Sequence, residues 1–158
     1  MTRPNKKTFV LATILLSLFV VSCTSNIVYQ ENITLKDAWH QDSLATFDVN
    51  MTDTVGAYNI FIDLRNDNRY PYQNLWLFVS SVSPDSIART DTLETVLAGN
   101  DGQWIGRGFG SNYDLALFYM QDIQFPETGT YRFSIGQGMR DEQLEGITGV
   151  GLRIEKAD

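Results

Sequence analysis

The sequence predicts an all-β protein: a single antiparallel β-sandwich behind a lipoprotein signal peptide and a short tether. Three observations carry that prediction. Short segments alternate apolar and polar residues with period two along most of the chain. Clusters of turn-forming residues separate them at regular spacing. No window shows an amphipathic helix of three turns. With 158 residues, 43% of them hydrophobic, the chain is long and apolar enough for one packed domain and is not a disordered tail.

The N-terminus comes first. Arg3, Lys6 and Lys7 form a basic segment, and Phe9 to Val21 is apolar. That run fits the core of a signal peptide and is shorter than the ~20 residues a transmembrane helix needs. It ends at Val20-Val21-Ser22-Cys23, the pattern of a lipoprotein signal, and Cys23 is the only cysteine. The chemistry accounts for the residue type. A thiolate can be alkylated by a diacylglycerol donor, and cleavage before it frees an amine for a further fatty acyl chain such as palmitate. Two or more acyl chains hold a protein stably in a membrane. Cys23 is therefore the predicted lipid attachment, residues 1–22 the signal peptide and residues 23–41 a lipidated tether.

Of the twelve basic residues three precede Cys23, and all nineteen acids follow it, so the mature chain carries a net charge of −10. That excludes a nucleic-acid partner, which needs a basic surface. With the thiol acylated, neither a disulfide nor a cysteine nucleophile remains. Thr24 stands where an aspartate would favour inner-membrane retention, and no acidic cluster closely follows Cys23. The predicted location is the outer membrane, facing the periplasm.

The sandwich domain is predicted over 42–158. Ala45, Phe47 and Val49 alternate with polar neighbours, as do Ile60, Ile62 and Leu64. Leu75 to Val79 is continuously apolar and reads as a strand covered on both faces, with Trp76 in the core. Leu93 and Leu97 mark a weaker strand, Leu115 to Met120 another, and Ile123 with Phe125 begin a short one. Tyr131, Phe133 and Ile135 alternate, and so do Val150, Leu152 and Ile154. Turns are expected at 83–86, 99–102 and 126–129. Strand order is not visible in such a pattern, so jelly-roll and immunoglobulin-like arrangements both stand.

No catalytic constellation is legible, and the expectation is no enzyme and no cofactor. His40 is the only histidine, which excludes a three-histidine zinc site, and no nucleophile elbow is present. Asn100-Asp101-Gly102 reads as a turn rather than a calcium loop, which would need spaced oxygen ligands. Gly106, Gly108 and Gly110 lack the lysine and following helix of a phosphate loop, and signal close backbone approach. The aromatic surplus near turns is more informative: Tyr70, Tyr72, Trp104 and others can cover the core, stack on sugars or anchor a protein.

Four stretches carry a family resemblance: LRNDNRYPYQNLWLFV (64–79), DTLETVLAGNDGQWIGRGFG (91–110), FPETGTYRFSIGQGMR (125–140) and LEGITGVGLRIEK (144–156). Their order and spacing, with the lipoprotein signal, resemble the gliding-motility lipoprotein GldH family of the Bacteroidota. The resemblance implies a non-catalytic envelope lipoprotein beside the gliding and type IX secretion apparatus, with other envelope proteins as partners. A carbohydrate-binding lipoprotein for glycan uptake is the alternative. Within the first stretch, Arg65, Asn66, Tyr70, Pro71, Tyr72 and Asn74 form the expected partner-binding loop. The run 65–74 as a whole carries two arginines, Arg65 and Arg69, and two tyrosines, types common at interface hot spots. The competing expectation is that both tyrosines fold back over the open end of the sandwich.

Overall fold

The computed structural model describes residues 26–157, so the signal peptide and Cys23 lie outside the described residues. The strands are β1 (Ile27–Thr34), β2 (Trp39–His40), β3 (Ala45–Met51), β4 (Tyr58–Asp67), β5 (Asn74–Val82), β6 (Ala88–Val96), β7 (Arg107–Phe109), β8 (Asn112–Ile123), β9 (Gly129–Gln137), β10 (Gln143–Leu144) and β11 (Ile147–Lys156). They form one sheet of order β1-β11-β4-β8-β7, a second of order β3-β9-β5-β6, and a two-stranded β10-β2 ribbon. All pairings between them are antiparallel.

With the short β2, β7 and β10 set aside, eight strands remain, ordered 1-8-3-6 in one sheet and 2-7-4-5 in the other. The pairs β1·β11, β3·β9, β4·β8 and β5·β6 nest as one long antiparallel hairpin. Rolling that hairpin makes β11 meet β4 and β9 meet β5. This is jelly-roll connectivity, which decides between the two expected arrangements.

The period-two segments place their apolar residues between the sheets. β3 buries Ala45, Phe47, Val49 and Met51; β4 buries Ile60, Ile62 and Leu64; β9 buries Tyr131, Phe133 and Ile135. In β11 a register shift between Ile147 and Gly149 lets Ile147 and then Val150, Leu152 and Ile154 all face inward. The turns at 83–86 and 99–102 close with Ser86 N–H donating to Ser83 O at 2.9 Å and Gly102 N–H to Gly99 O at 2.9 Å. Gly106 lies close against the Asp114 backbone, as a glycine at a tight approach should.

Three sequence expectations change. The segment read as a tether contains β1, an edge strand paired along β11 from Ile27 to Thr34. All eight of its residues are exposed or half-buried, so backbone pairing more than burial holds it. Leu75 to Val79 is covered on one face only: Leu75, Leu77 and Val79 are buried, whereas Trp76 and Phe78 point outward and stay exposed. Trp76 is thus not core. Ile123 ends β8, and Phe125 plugs the following loop with its ring 5.5 Å from Tyr58 and 4.8 Å from Tyr131.

The register also defines the two ends of the sandwich. Ile27, Lys156, Tyr58 and Ile123 sit at one end of the first sheet, and Met51, Gly129, Val82 and Ala88 at one end of the second. The short 52–57 segment joins Met51 to Tyr58, so these ends coincide. The opposite end carries the loops at 68–73, 97–106 and 138–142.

Candidate functional site

The loop after β4 is tied to the fold from both sides. Asp67 N–H donates to Gly146 O at 2.8 Å, and Tyr70 N–H donates back to Asp67 O at 3.2 Å. Gly146 has φ of +80°, and a Cβ there would collide with the Tyr70 backbone, so glycine alone fits. Arg69 grips Asp67 through Nη2 at 2.7 Å, and its guanidinium holds the Asp67 carboxyl below the usual range.

The structure distributes the six expected contact residues over three places. Arg65 lies on the outer face of the five-stranded sheet, forked onto Asp114 at 2.6 and 3.1 Å. It lines a shallow groove of about 680 Å³ with Gln30, Asn32, Arg107 and Gly149. Asn66 points inward and is buried, its Nδ2 without a hydrogen-bond partner among the described residues. Tyr70 is 4% exposed and donates its hydroxyl to Asn74 O at 2.7 Å. Burial, more than the nearby Tyr72 and Asp141, pushes that hydroxyl well above the ordinary tyrosine range. Its ring lies 6.4 Å from Trp104, which in turn lies 5.8 Å from Tyr113. Tyr70 and Trp104 therefore close the end of the core. Pro71, Tyr72 and Asn74 remain at the surface or half-buried, on the side of the four-stranded sheet.

There Tyr72, Asn74 and Trp76 meet Gly138, Met139 and Arg140 around a cleft of about 460 Å³. Each wall is fixed. Tyr72 donates its hydroxyl to Asp141 Oδ2 at 2.8 Å, and Asn74 donates Nδ2–H to Glu94 Oε1 at 2.6 Å. Gly138 N–H donates to Trp76 O at 2.7 Å, and Met139 Sδ accepts the Trp76 N–H at 3.4 Å. Buried Gln137 spans the 138–141 turn, accepting from Met139 N–H at 2.8 Å and donating to Asp141 O at 2.7 Å. A Cβ on Gly138 would press on the Phe78 ring and the Trp76 Cβ, so the glycine lets the turn lie close against β5.

The outcome is a preorganised apolar surface. Trp76 is 38% exposed, Phe78 48% and Tyr72 37%, and Arg140 makes no ion pair among the described residues. Exposed Leu44 extends the patch across Gly136. Such a surface suits an apolar or aromatic group flanked by an acid, because rings supply area and the arginine orientation. His40 sits apart, its Nδ1 accepting Asp42 N–H at 3.1 Å and its Nε2 3.3 Å from Glu142.

Trp76 and Phe78 escaped sequence reasoning although a signal existed. With no helix to cover an outer sheet face, a two-layer sandwich must expose alternate residues of any continuous apolar run. Met139 and Arg140, at the end of the 125–140 stretch, had no expected role, because only folding brings the β9–β10 turn beside β5.

The model of the GldH lipoprotein family matches residues 27–154. The gliding motility lipoprotein GldH of Flavobacterium johnsoniae is 39% identical over 152 residues, covering 92% of this chain and 94% of that protein. A protein named as a GldH homolog in Christiangramia forsetii is 40% identical over 144 residues, covering 87% of this chain and 88% of that one. Among solved structures, one of infectious bursal disease virus, Gx strain, matches at a TM-score of 0.38 and 12% identity, over 81% of this chain and 29% of that chain. The jelly-roll assignment rests on strand order and takes nothing from that likeness.

Proposed function

The chain belongs to the GldH lipoprotein family, and from that premise we propose a non-catalytic, lipid-anchored envelope protein that contributes to gliding motility and type IX secretion. Acyl chains on Cys23 hold it at the outer membrane, facing the periplasm. It acts by docking another envelope protein of that machinery in the Tyr72–Trp76–Arg140 cleft. The single observation that carries the docking is the pair of exposed rings, Trp76 and Phe78, held on a strand beside Arg140, which makes no ion pair among the described residues. Rigid aromatic anchors bind at low entropic cost.

Complementation of a deletion strain tests the proposal. Deletion is expected to impair spreading and secretion. A Trp76→Ala, Phe78→Ala double variant should accumulate normally, melt within a few degrees of the native protein, and fail to restore either. A deletion strain that spreads and secretes normally refutes the role. A fully active double variant refutes the cleft.

One observation favours a second reading. Flat exposed rings over a glycine floor, edged by Asn74, Glu94 and Arg140, also suit the stacking and hydrogen bonding of a sugar. Titration calorimetry against peptidoglycan fragments and polysaccharides separates the two, since only the glycan reading gives heat that the double variant abolishes.

A further inference from the structure

We propose that the end of the sandwich where the chain enters is seated in the lipid surface, with Val55 and Ile87 as its apolar tips. The inference rests on the attachment of acyl chains to Cys23 and extends it to the orientation of the domain.

The tether is too short for the domain to stand away from the membrane. Only Thr24 and Ser25 separate Cys23 from Asn26, where the described chain begins. Fully extended, that span reaches about 11 Å. Asn26 is locked into the fold: its carbonyl accepts Lys156 N–H at 2.8 Å. The next residue, Ala157, donates to Ala57 O at 2.9 Å, which ties the 52–57 loop to the entering chain. Gln124 Nε2 donates to Val55 O at 3.2 Å and holds the same loop from the far side. The 83–87 turn shares this end through the second sheet, with Pro84 packed against Gly129.

Both elements carry an apolar side chain that the domain itself does not use. Val55 is 81% exposed and Ile87 57%. Neither sits on a loose loop. Asp53 Oδ1 accepts the N–H groups of Val55 at 2.9 Å and Gly56 at 3.1 Å. Ile87 O accepts Ser83 N–H at 3.0 Å, closing its turn. Two aliphatic tips fixed beside the point of lipid attachment gain by entering the acyl boundary, as apolar faces of interfacial proteins do. The covalent anchor makes lipid the nearest partner, so even a weak contact is well populated. Acidic Asp53, Asp85 and Glu127 also lie at this end, with Lys156 near Asp53, so the surface that fits is zwitterionic rather than anionic. In this orientation Val82 lies nearest the bilayer, and β5 holds the Trp76 cleft about 20 Å farther out.

Depth measurement on the full lipidated chain tests the seating. Acylation consumes the Cys23 thiol, so Val55→Cys, Ile87→Cys and, at the opposite end, Ile105→Cys each offer one site for an environment-sensitive fluorophore. All three positions are exposed, and circular dichroism checks that the variants fold. The proteins are reconstituted in phosphatidylcholine vesicles with and without spin-labelled lipid, and flotation is scored in parallel. Probes at 55 and 87 are expected to emit at shorter wavelength and to be quenched by the spin label, whereas the probe at 105 is neither. If the protein floats while probes at 55 and 87 behave like that at 105, the seating is wrong and the anchor stands. If the protein does not float, the lipid reading of Cys23 fails and the seating falls with it.

Discussion

Tyr70 and Tyr72 stand two residues apart in one loop, and the structure predicts opposite consequences for removing them. Tyr70→Ala deletes a ring that is 4% exposed, packed beside Trp104 and closing the end of the core. Truncating a buried aromatic costs about 3–5 kcal/mol. The lost hydroxyl bond to Asn74 O belongs to that cost, and Tyr70→Phe isolates it at about 1 kcal/mol. For a domain of about 130 residues, each kcal/mol shifts Tm by roughly 3–5 °C, so Tyr70→Ala should melt about 10–25 °C early. Tyr72→Ala loses only a solvent-exposed bond to Asp141 and an edge contact with Tyr70, so its melt should stay within a few degrees of native. The assay is thermal unfolding of the soluble domain by circular dichroism, alongside partner capture from crosslinked membranes. Tyr72→Ala should keep its melt and lose capture, while Tyr70→Ala loses stability first. A Tyr70→Ala protein melting within a few degrees of native would refute the placement of that ring. A Tyr72→Ala protein with native capture would remove this side chain from the docking surface.

Three further predictions concern other links of the argument. Gly146→Ala forces a Cβ into the Tyr70 backbone at φ of +80°, so denaturant unfolding should show a loss of at least ~3 kcal/mol, well beyond an ordinary loop change. Asp48 and Asp67 are held below the usual carboxylate range by Arg132 and Arg69, and Asp53 by the N–H groups of Val55 and Gly56. Lowered folded values mean that this stabilisation is present above an unfolded pKa of about 4 and is lost as pH falls through the folded values. Tm should be steady between neutral pH and about 5 and fall below about 4, and Asp67→Asn should lower Tm at neutral pH while flattening the acid limb. Cys23→Ala should appear in cell fractionation as a soluble or unprocessed form, and a processed, membrane-bound variant would overturn the lipid attachment.

The alternation of Ala45-Phe47-Val49, Tyr131-Phe133-Ile135 and Val150-Leu152-Ile154 was enough to establish an all-β sandwich and most of its core. Period-two burial is a local property, set by which face each side chain takes. The turn clusters were legible for the same reason, since φ preferences act within three or four residues. Family membership was legible because it lies in residue order itself. Tertiary structure decided the rest. The exposed segment at 27–34 is a strand only because β11 supplies its backbone partners, which no pattern within the segment encodes. Trp76 is exposed because the outer face of its sheet has no covering layer, and layers are a property of the whole chain. The expected contact loop divides among core, groove and cleft because β4 and β5 belong to different sheets of the sandwich. The cleft itself joins β5 to the β9–β10 turn some sixty residues later, a juxtaposition that the nested pairing of a jelly roll creates and sequence distance conceals.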